Sequence, residues 1–108
     1  MTMSSIAEPA VLVTGGIDTH ADVHVAAVLD QRGVLLATAS FPSTPNGHRR
    51  LEAWLTSHGT IEVIGIEGTG SWGAGIARAM TAAGHRVVEV DRPHRQTRWR
   101  KGKTATID

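Results

Sequence analysis

The chain of 108 residues contains no cysteine, which excludes disulfide frameworks, thiolate metal sites and thiol nucleophiles. Aromatic side chains are scarce as well, at 4% of the sequence, so aliphatic residues and alanine must fill the core. No run approaches the roughly 20 apolar residues that cross a bilayer. The N-terminus lacks the basic and apolar regions of a signal peptide. We therefore expect a cytoplasmic globular domain that does not enter a membrane.

Positive charge is also scarce outside the C-terminus, although the formal net charge is +1. Residues 1–91 hold five of the eleven Lys and Arg and nine of the ten acids, whereas residues 92–108 hold six bases and one acid. The segment 92–103 has no acid and one tryptophan, a pattern typical of phosphate contacts and base stacking, although charge runs also occur as solvated faces. We predict that it binds nucleic acid through Arg92, Arg95, Arg98, Trp99, Arg100, Lys101 and Lys103.

Apolar runs between turn residues predict five strands, at residues 11–17, 23–29, 34–41, 61–66 and 86–90. The first three follow one another through short turns, which predicts an antiparallel meander. The last two alternate with helical patterns, which predicts right-handed crossovers and parallel pairing. The sequence thus predicts an α/β fold with a mixed five-stranded sheet in the order 3-2-1-4-5 and flanking helices.

Two helix starts are predicted from capping residues. Thr44 supplies an N-cap and Pro45 the first helical position of one helix, which Gly59 ends. Ser71 is the expected cap of a second helix, with Trp72 on its apolar side.

Two acids directly follow strands that are expected to be neighbours in the sheet. Asp18 follows strand 1 and Glu67 follows strand 4. Adjacent parallel strands lie about 4.8 Å apart, so the two carboxylates could share one hard divalent cation or flank a pair of them, with a phosphate as a further ligand. From spacing alone, Asp18 can equally be a turn residue and Glu67 a solvated strand end.

A second motif allows a different function. Gly68, Gly70 and Gly73 match the GxGxxG pattern after a strand, and Asp91 stands where a ribose-binding acid would be expected. Glu67, directly before the first glycine, would however place a carboxylate near a bound pyrophosphate. The plain structural interpretation is that the glycines allow a tight strand-to-helix turn.

Histidines allow a third site. Asp18, His20, Asp22 and His24 alternate and would share one face of an extended strand, which would suit a metal with nitrogen and oxygen ligands. A turn between strands 1 and 2 would break this alignment. The remaining histidines are expected at the surface or at helix ends: His48, His58, His85 and His94.

Four segments together resemble one family in order and spacing, the N-terminal domain of the DEDD transposases of the insertion-sequence "one-ten" family, relatives of the Piv-type DNA invertases. They read GIDTHADVHVAAVLD, FPSTPNGHRRLEAWL, IEGTGSWGAGIARAMTAAGHRVVEVDRP and RKGKTATID. The resemblance covers residues 11–108.

The resemblance implies a ribonuclease-H-like domain, similar to Holliday-junction resolvases, whose four acids bind Mg²⁺ or Mn²⁺ and act on DNA in transposition. Asp18, Glu67 and Asp108 match the first, second and fourth acid, and Ala105 takes the place of the third. The family implies a guide RNA, a homo-oligomer in full-length relatives, a further domain with a catalytic serine, and a nucleoid-associated location.

We accordingly expect the N-terminal part of a transposase, truncated and inactive by itself, with a fold that is incomplete at the C-terminus. Its predicted organisation is a disordered lead-in over residues 1–10, a core over 11–91, and a basic arm over 92–108 that leads into the truncated acidic motif. The alternatives are a domain that binds NAD or ATP through the glycine turn, and a non-catalytic nucleic-acid-binding module.

Overall fold

The computed structural model describes residues 11–91, which form five strands and two helices in the predicted order. The predictions for residues 1–10 and 92–108, including the basic arm, Ala105 and Asp108, lie outside the described residues. The elements are β1 (Leu12–Thr19), β2 (Val23–Leu29), β3 (Leu35–Pro42), α1 (Pro45–Thr56), β4 (Thr60–Glu67), α2 (Ala74–Ala82) and β5 (Val87–Val90).

The strands form one sheet in the order β3-β2-β1-β4-β5, which confirms the predicted topology. Strand β2 is antiparallel to both β1 and β3, whereas β4 is parallel to both β1 and β5. The carboxyl ends of β1, β3, β4 and β5 therefore share one edge of the sheet. Both helices begin at this edge, because α1 follows β3 and α2 follows β4.

Local sequence signals explain the meander and the first helix. The Asp30 carboxylate accepts from the backbone N–H of Arg32 and of Val34, both at 2.9 Å, and Gly33 completes the turn with a φ of 86°. Thr44 caps α1 as predicted, since its hydroxyl accepts from the Gly47 N–H at 3.0 Å.

The start of α2 differs from the prediction. The helix begins at Ala74 with Gly73 as its N-cap and no side-chain cap, whereas Ser71 and the exposed Trp72 lie in the preceding turn. The Gly68 carbonyl explains the delay, because it accepts from the N–H groups of both Ser71 and Gly73. These two hydrogen bonds form a turn, so the α-helical hydrogen bonds begin only after it.

Both helices pack on the same face of the sheet. Leu51 and Leu55 of α1 and Ile76 and Met80 of α2 are buried against strand residues such as Ile64. The alternation of buried and part-exposed residues in β1 and β2 places every second side chain in this core. Within residues 11–91, no helix has the length and apolar character needed to span a bilayer.

The opposite face, which we call the open face, has no helix on it within residues 11–91. It forms a shallow groove of about 470 Å³. The groove is lined by apolar and small side chains of β1, β4 and β5, among them Thr14, Gly16, Val63, Gly65, Val88 and Val90.

An extra residue in β4 sets which side chains face this groove. Val13 pairs with Ile61 and Thr14 pairs with Val63, so Glu62 is an additional residue relative to β1. After this bulge, Val63 lies on the open face beside Thr14.

Candidate functional site

Asp18 and Glu67 stand side by side at the carboxyl ends of β1 and β4. Ile17 pairs with Ile66 in the parallel register, and the two acids are the next residue on each strand. Both also line the groove on the open face. The structure therefore places next to each other the two acids whose roles could not be decided from their spacing in the sequence.

A buried threonine joins the two strand ends. The Thr19 hydroxyl donates to the Glu67 carbonyl oxygen at 2.7 Å, and the Thr19 side chain is fully buried. This bond spans 48 residues of sequence and fixes the end of β4 relative to the end of β1. The sequence offers no signal for it, since a threonine at a strand end is common and its partner is a main-chain atom.

His20 contacts one of the two acids. Its Nε2 lies 3.2 Å from Oδ2 of Asp18, at a site where 43% of the His20 side chain and 45% of the Asp18 side chain are exposed. The residues between β1 and β2 form the predicted turn, so Asp18 lies on the open face whereas His24 lies in the core. The alternating histidines and aspartates thus do not share one face.

His24 and His48 form a stacked pair behind this turn. Their ring centroids are 5.6 Å apart with an interplanar angle of 19°, and His24 is fully buried. His24 Nδ1 accepts from the His20 backbone N–H at 3.4 Å, so a neutral ring carries its proton on Nε2, which has no partner among residues 11–91. Burial, followed by the charges of His48 and His20, lowers the pKa of His24, and burial lowers the pKa of His48.

Three of the histidines expected at the surface or at helix ends lie within residues 11–91, and all three are partly buried and lie in the first turn of a helix or just after its end: His48, His58 and His85. His48 is half-buried because α1 packs its first turn over β2, which presses the ring against His24. His85 lies 2.8 Å from Oε2 of Glu52, and only 14% of its side chain is exposed. These contacts join elements distant in sequence, so surface-like spacing did not predict them.

In the glycine turn between β4 and α2, backbone N–H groups donate to carbonyl oxygens of the same turn. Besides the two N–H groups that bond the Gly68 carbonyl, the Ala74 N–H donates to the Ser71 carbonyl oxygen at 3.2 Å. A Cβ on Gly73 would lie 2.7 Å from the Gly68 oxygen, so this glycine is required by close packing. A turn that binds a pyrophosphate must direct its backbone N–H groups at the phosphate oxygens. The N–H groups that bond within this turn cannot do so, which argues against the nucleotide-binding alternative.

The donor set at the strand ends fits a hard divalent cation. Carboxylate oxygens are preferred ligands of Mg²⁺, which is commonly held by one or two carboxylates with waters and substrate phosphates. Residues 11–91 contain no group of three or more His, Asp or Glu side chains that could hold a metal ion. Asp18 and Glu67 therefore provide two carboxylates, and the predicted third, Asp108, lies outside the described residues.

One protein family matches the chain. Residues 15–108 match the family model for DEDD transposases of the IS110 type, which is described as a transposase. The matched range includes both acids at the strand ends. No curated protein matches the chain.

Proposed function

The chain belongs to the IS110 family of DEDD transposases, and from this premise we propose that it binds a divalent cation and nucleic acid for DNA transposition. The chain would be the N-terminal part of such a transposase. The observation that carries the proposal is the adjacency of Asp18 and Glu67 at the ends of paired parallel strands.

In the proposed site, Asp18 and Glu67 would hold Mg²⁺ or Mn²⁺, with Asp108 as a further ligand. The bound cation would polarise a DNA phosphodiester and neutralise charge that develops on it. The Thr19 hydroxyl supports this geometry, because it ties the main chain of Glu67 to the end of β1. The His20 ring lies 3.2 Å from Oδ2 of Asp18 and so contacts the proposed ligand directly.

Nucleic acid would approach this edge along the basic segment 92–103, which starts next to the end of β5 in the sequence. Lys and Arg contacts to phosphate position DNA without reading its sequence. DNA is the partner that the family implies, and a guide RNA and a homo-oligomer belong to the same proposal. Such a protein would work at the nucleoid.

We expect binding without cleavage. Ala105 stands where the family pattern has its third acid, and a methyl side chain cannot ligate a cation. At least one coordination position would then be filled by water or by another group, which weakens control over the metal geometry.

Titration with Mn²⁺, followed by electron paramagnetic resonance, tests the metal site. Asp18→Asn is expected to weaken binding by at least about tenfold, because even outer-shell partners contribute that much. Asp22→Asn is the matched control, since Asp22 is an exposed acid in the turn just after β1. Equal affinities for the wild type and Asp18→Asn would show that the site is wrongly assigned.

A salt series with and without Mg²⁺ tests the partner. Duplex DNA affinity should fall steeply with salt, because phosphate contacts release counterions. Mg²⁺ should strengthen binding in the wild type but not in Asp18→Asn. Binding that EDTA leaves unchanged would favour the non-catalytic module, and binding of NAD or ATP in place of DNA would favour the nucleotide alternative.

A further inference from the structure

The groove on the open face has glycines in its floor directly behind the two acids. Gly16 and Gly65 pair in the parallel register, and each stands two residues before an acid, Asp18 or Glu67. At about 3.3 Å per residue, the glycines lie about 7 Å back from the acids along the strands. A Cβ on Gly65 would lie 2.9 Å from Cγ2 of Val90, so the valine covers this glycine. A Cβ on Gly16, in contrast, would contact nothing within 4 Å in the described part of the chain. The uncovered part of the floor is therefore at Gly16.

The walls around this floor are apolar. They are formed by side chains of β2, β4 and β5, namely Val25, Ala27, Val63, Val88 and Val90. A glycine within a strand often marks a place where another group approaches the backbone closely. An aromatic ring placed over a strand glycine is one such stabilising arrangement in sheets. The groove therefore suits a flat apolar side chain that lies on Gly16.

The segment 92–108, which lies outside the described residues, follows the strand that borders this groove. Val90, the last residue of β5, lines the groove. In the proposed site Asp108 is a cation ligand, so the segment would begin and end at the same edge of the sheet. That placement of Asp108 rests on the proposed function. The two helices pack on the other face, which leaves the open face as the short path. Trp99 is at the middle of this path, eight residues after Asp91 and nine before Asp108.

Trp99 is within reach of the groove floor. From the end of β5, Gly16 lies two strands away, about 10 Å across the sheet, and about 7 Å back from the edge. Eight residues span up to about 26 Å when extended, so the chain is long enough with several residues to spare. Trp99 is also the only Phe, Tyr or Trp in the segment 92–108. It is thus the one residue of the segment that supplies a large flat apolar side chain.

Charges at the mouth of the groove favour the same placement. Arg98 and Arg100 stand on either side of Trp99 in the sequence, and Asp18 and Glu67 line the groove where it meets the edge of the sheet. The acids follow the glycine floor by about 7 Å, which is within the Debye length of about 10 Å at 0.1 M salt. An indole over the floor would therefore bring two positive charges close to two carboxylates.

We propose that Trp99 docks over Gly16 in the groove of the open face of its own chain, with Arg98 and Arg100 beside the two acids. An aromatic side chain buries about 150–250 Å², so this one contact anchors the segment to the sheet. Docked there, the indole does not stack on a base, and the segment 92–103 contacts nucleic acid through its arginines and lysines.

Fluorescence tests the docking in a chain in which Trp99 is the only tryptophan, made by Trp54→Phe with Trp72→Phe. In EDTA and without nucleic acid, its emission should lie at shorter wavelength than that of N-acetyltryptophanamide, with weaker quenching by acrylamide. Gly16→Leu should shift the emission to longer wavelength and increase the quenching, because leucine fills the position of the indole. Gly70→Leu is the matched control and should change neither, since a Cβ there also contacts nothing within 4 Å but lies in the turn after β4. Emission that Gly16→Leu leaves unchanged would overturn the proposal.

Trypsin cleavage gives a second measurement, which leaves Trp54 in place. The basic residues of the segment 92–103 are sites for this protease, and cleavage there follows the undocked population. Trp99→Ala should raise the rate of cleavage in the segment by at least about tenfold, which corresponds to about 1.4 kcal/mol of lost contact. Trp72→Ala is the matched control and should leave the rate unchanged, because Trp72 is exposed in the turn before α2. Equal rates for the wild type and Trp99→Ala, with fragments identified by mass spectrometry, would contradict the docking.

Other occupants of the groove would give different results. Protection of Trp99 that increases with protein concentration would indicate a second copy of the chain, and protection only after an oligonucleotide is added would indicate nucleic acid. Either result would overturn docking within one chain. Because EDTA is present, the outcome is separate from that of the Mn²⁺ titration. An exposed Trp99 beside an intact Mn²⁺ site would overturn the docking alone, and a protected Trp99 with no effect of Asp18→Asn on Mn²⁺ would overturn the metal site alone.

Discussion

The hydrogen bond from Thr19 to the Glu67 carbonyl provides the sharpest test of how the two acids are held together. Thr19→Val keeps the shape of the side chain and removes the hydroxyl that donates at 2.7 Å. A hydrogen bond contributes about 0.5–1.5 kcal/mol net, and a carbonyl left unsatisfied in a buried place costs about 1–3 kcal/mol. Since this carbonyl is partly buried, we expect the free energy of unfolding to fall by about 1–2 kcal/mol.

Urea unfolding followed by circular dichroism measures this change. With a slope of about 1–3 kcal/mol per molar for a small domain, the midpoint should fall by about 1 M at an unchanged slope. Thr38→Val is the matched control, because Thr38 is an exposed strand residue of β3 and its replacement should change stability by less than about 0.5 kcal/mol. A Thr19→Val variant as stable as the wild type would refute the role of this bond.

Two further predictions concern packing and pH. Gly73→Ala should lower the free energy of unfolding by about 1–3 kcal/mol, because its Cβ would collide with the Gly68 backbone. Gly70→Ala is the control, since a Cβ there contacts nothing within 4 Å and should not destabilise the fold. Thermal unfolding of the two variants measures the difference. Burial, and next His48, lowers the pKa of His24 in the folded state. The free energy of unfolding should therefore reach its full value above about pH 6.5 and decrease as the pH falls below it. A His24→Asn variant should show a weaker dependence of stability on pH, as measured by urea unfolding on either side of that pH.

Much of the fold could be predicted because its signals are local. The cap at Thr44 and the proline after it determine where α1 begins, and Asp30 with Gly33 determines the hairpin turn. The pattern of meander and crossovers then leaves one reasonable sheet order, with β1 in the centre. The adjacency of Asp18 and Glu67 follows from that order together with the length of each strand.

The remaining features depend on contacts between distant parts of the chain. Ser71 is a residue type that commonly caps helices, but the N–H groups of Ser71 and Gly73 both donate to the Gly68 carbonyl oxygen. The helix α2 therefore begins only at Ala74. The stacking of His48 on His24 requires α1 to lie over β2, which no local pattern specifies. The glycine pattern is uninformative for a related reason, since matching glycines do not determine which groups their amides bond.

The additional residue in β4 has a consequence for insertions and deletions. Because Glu62 lies outside the one-to-one pairing, its deletion would give a regular strand and leave Val63 and Glu67 on the same face as Asp18. A deletion between Gly65 and Glu67 would instead reverse the facing of the acid and turn its carboxylate toward the helices. The number of residues between the two acids can therefore decrease by one at the bulge, but not between the bulge and Glu67.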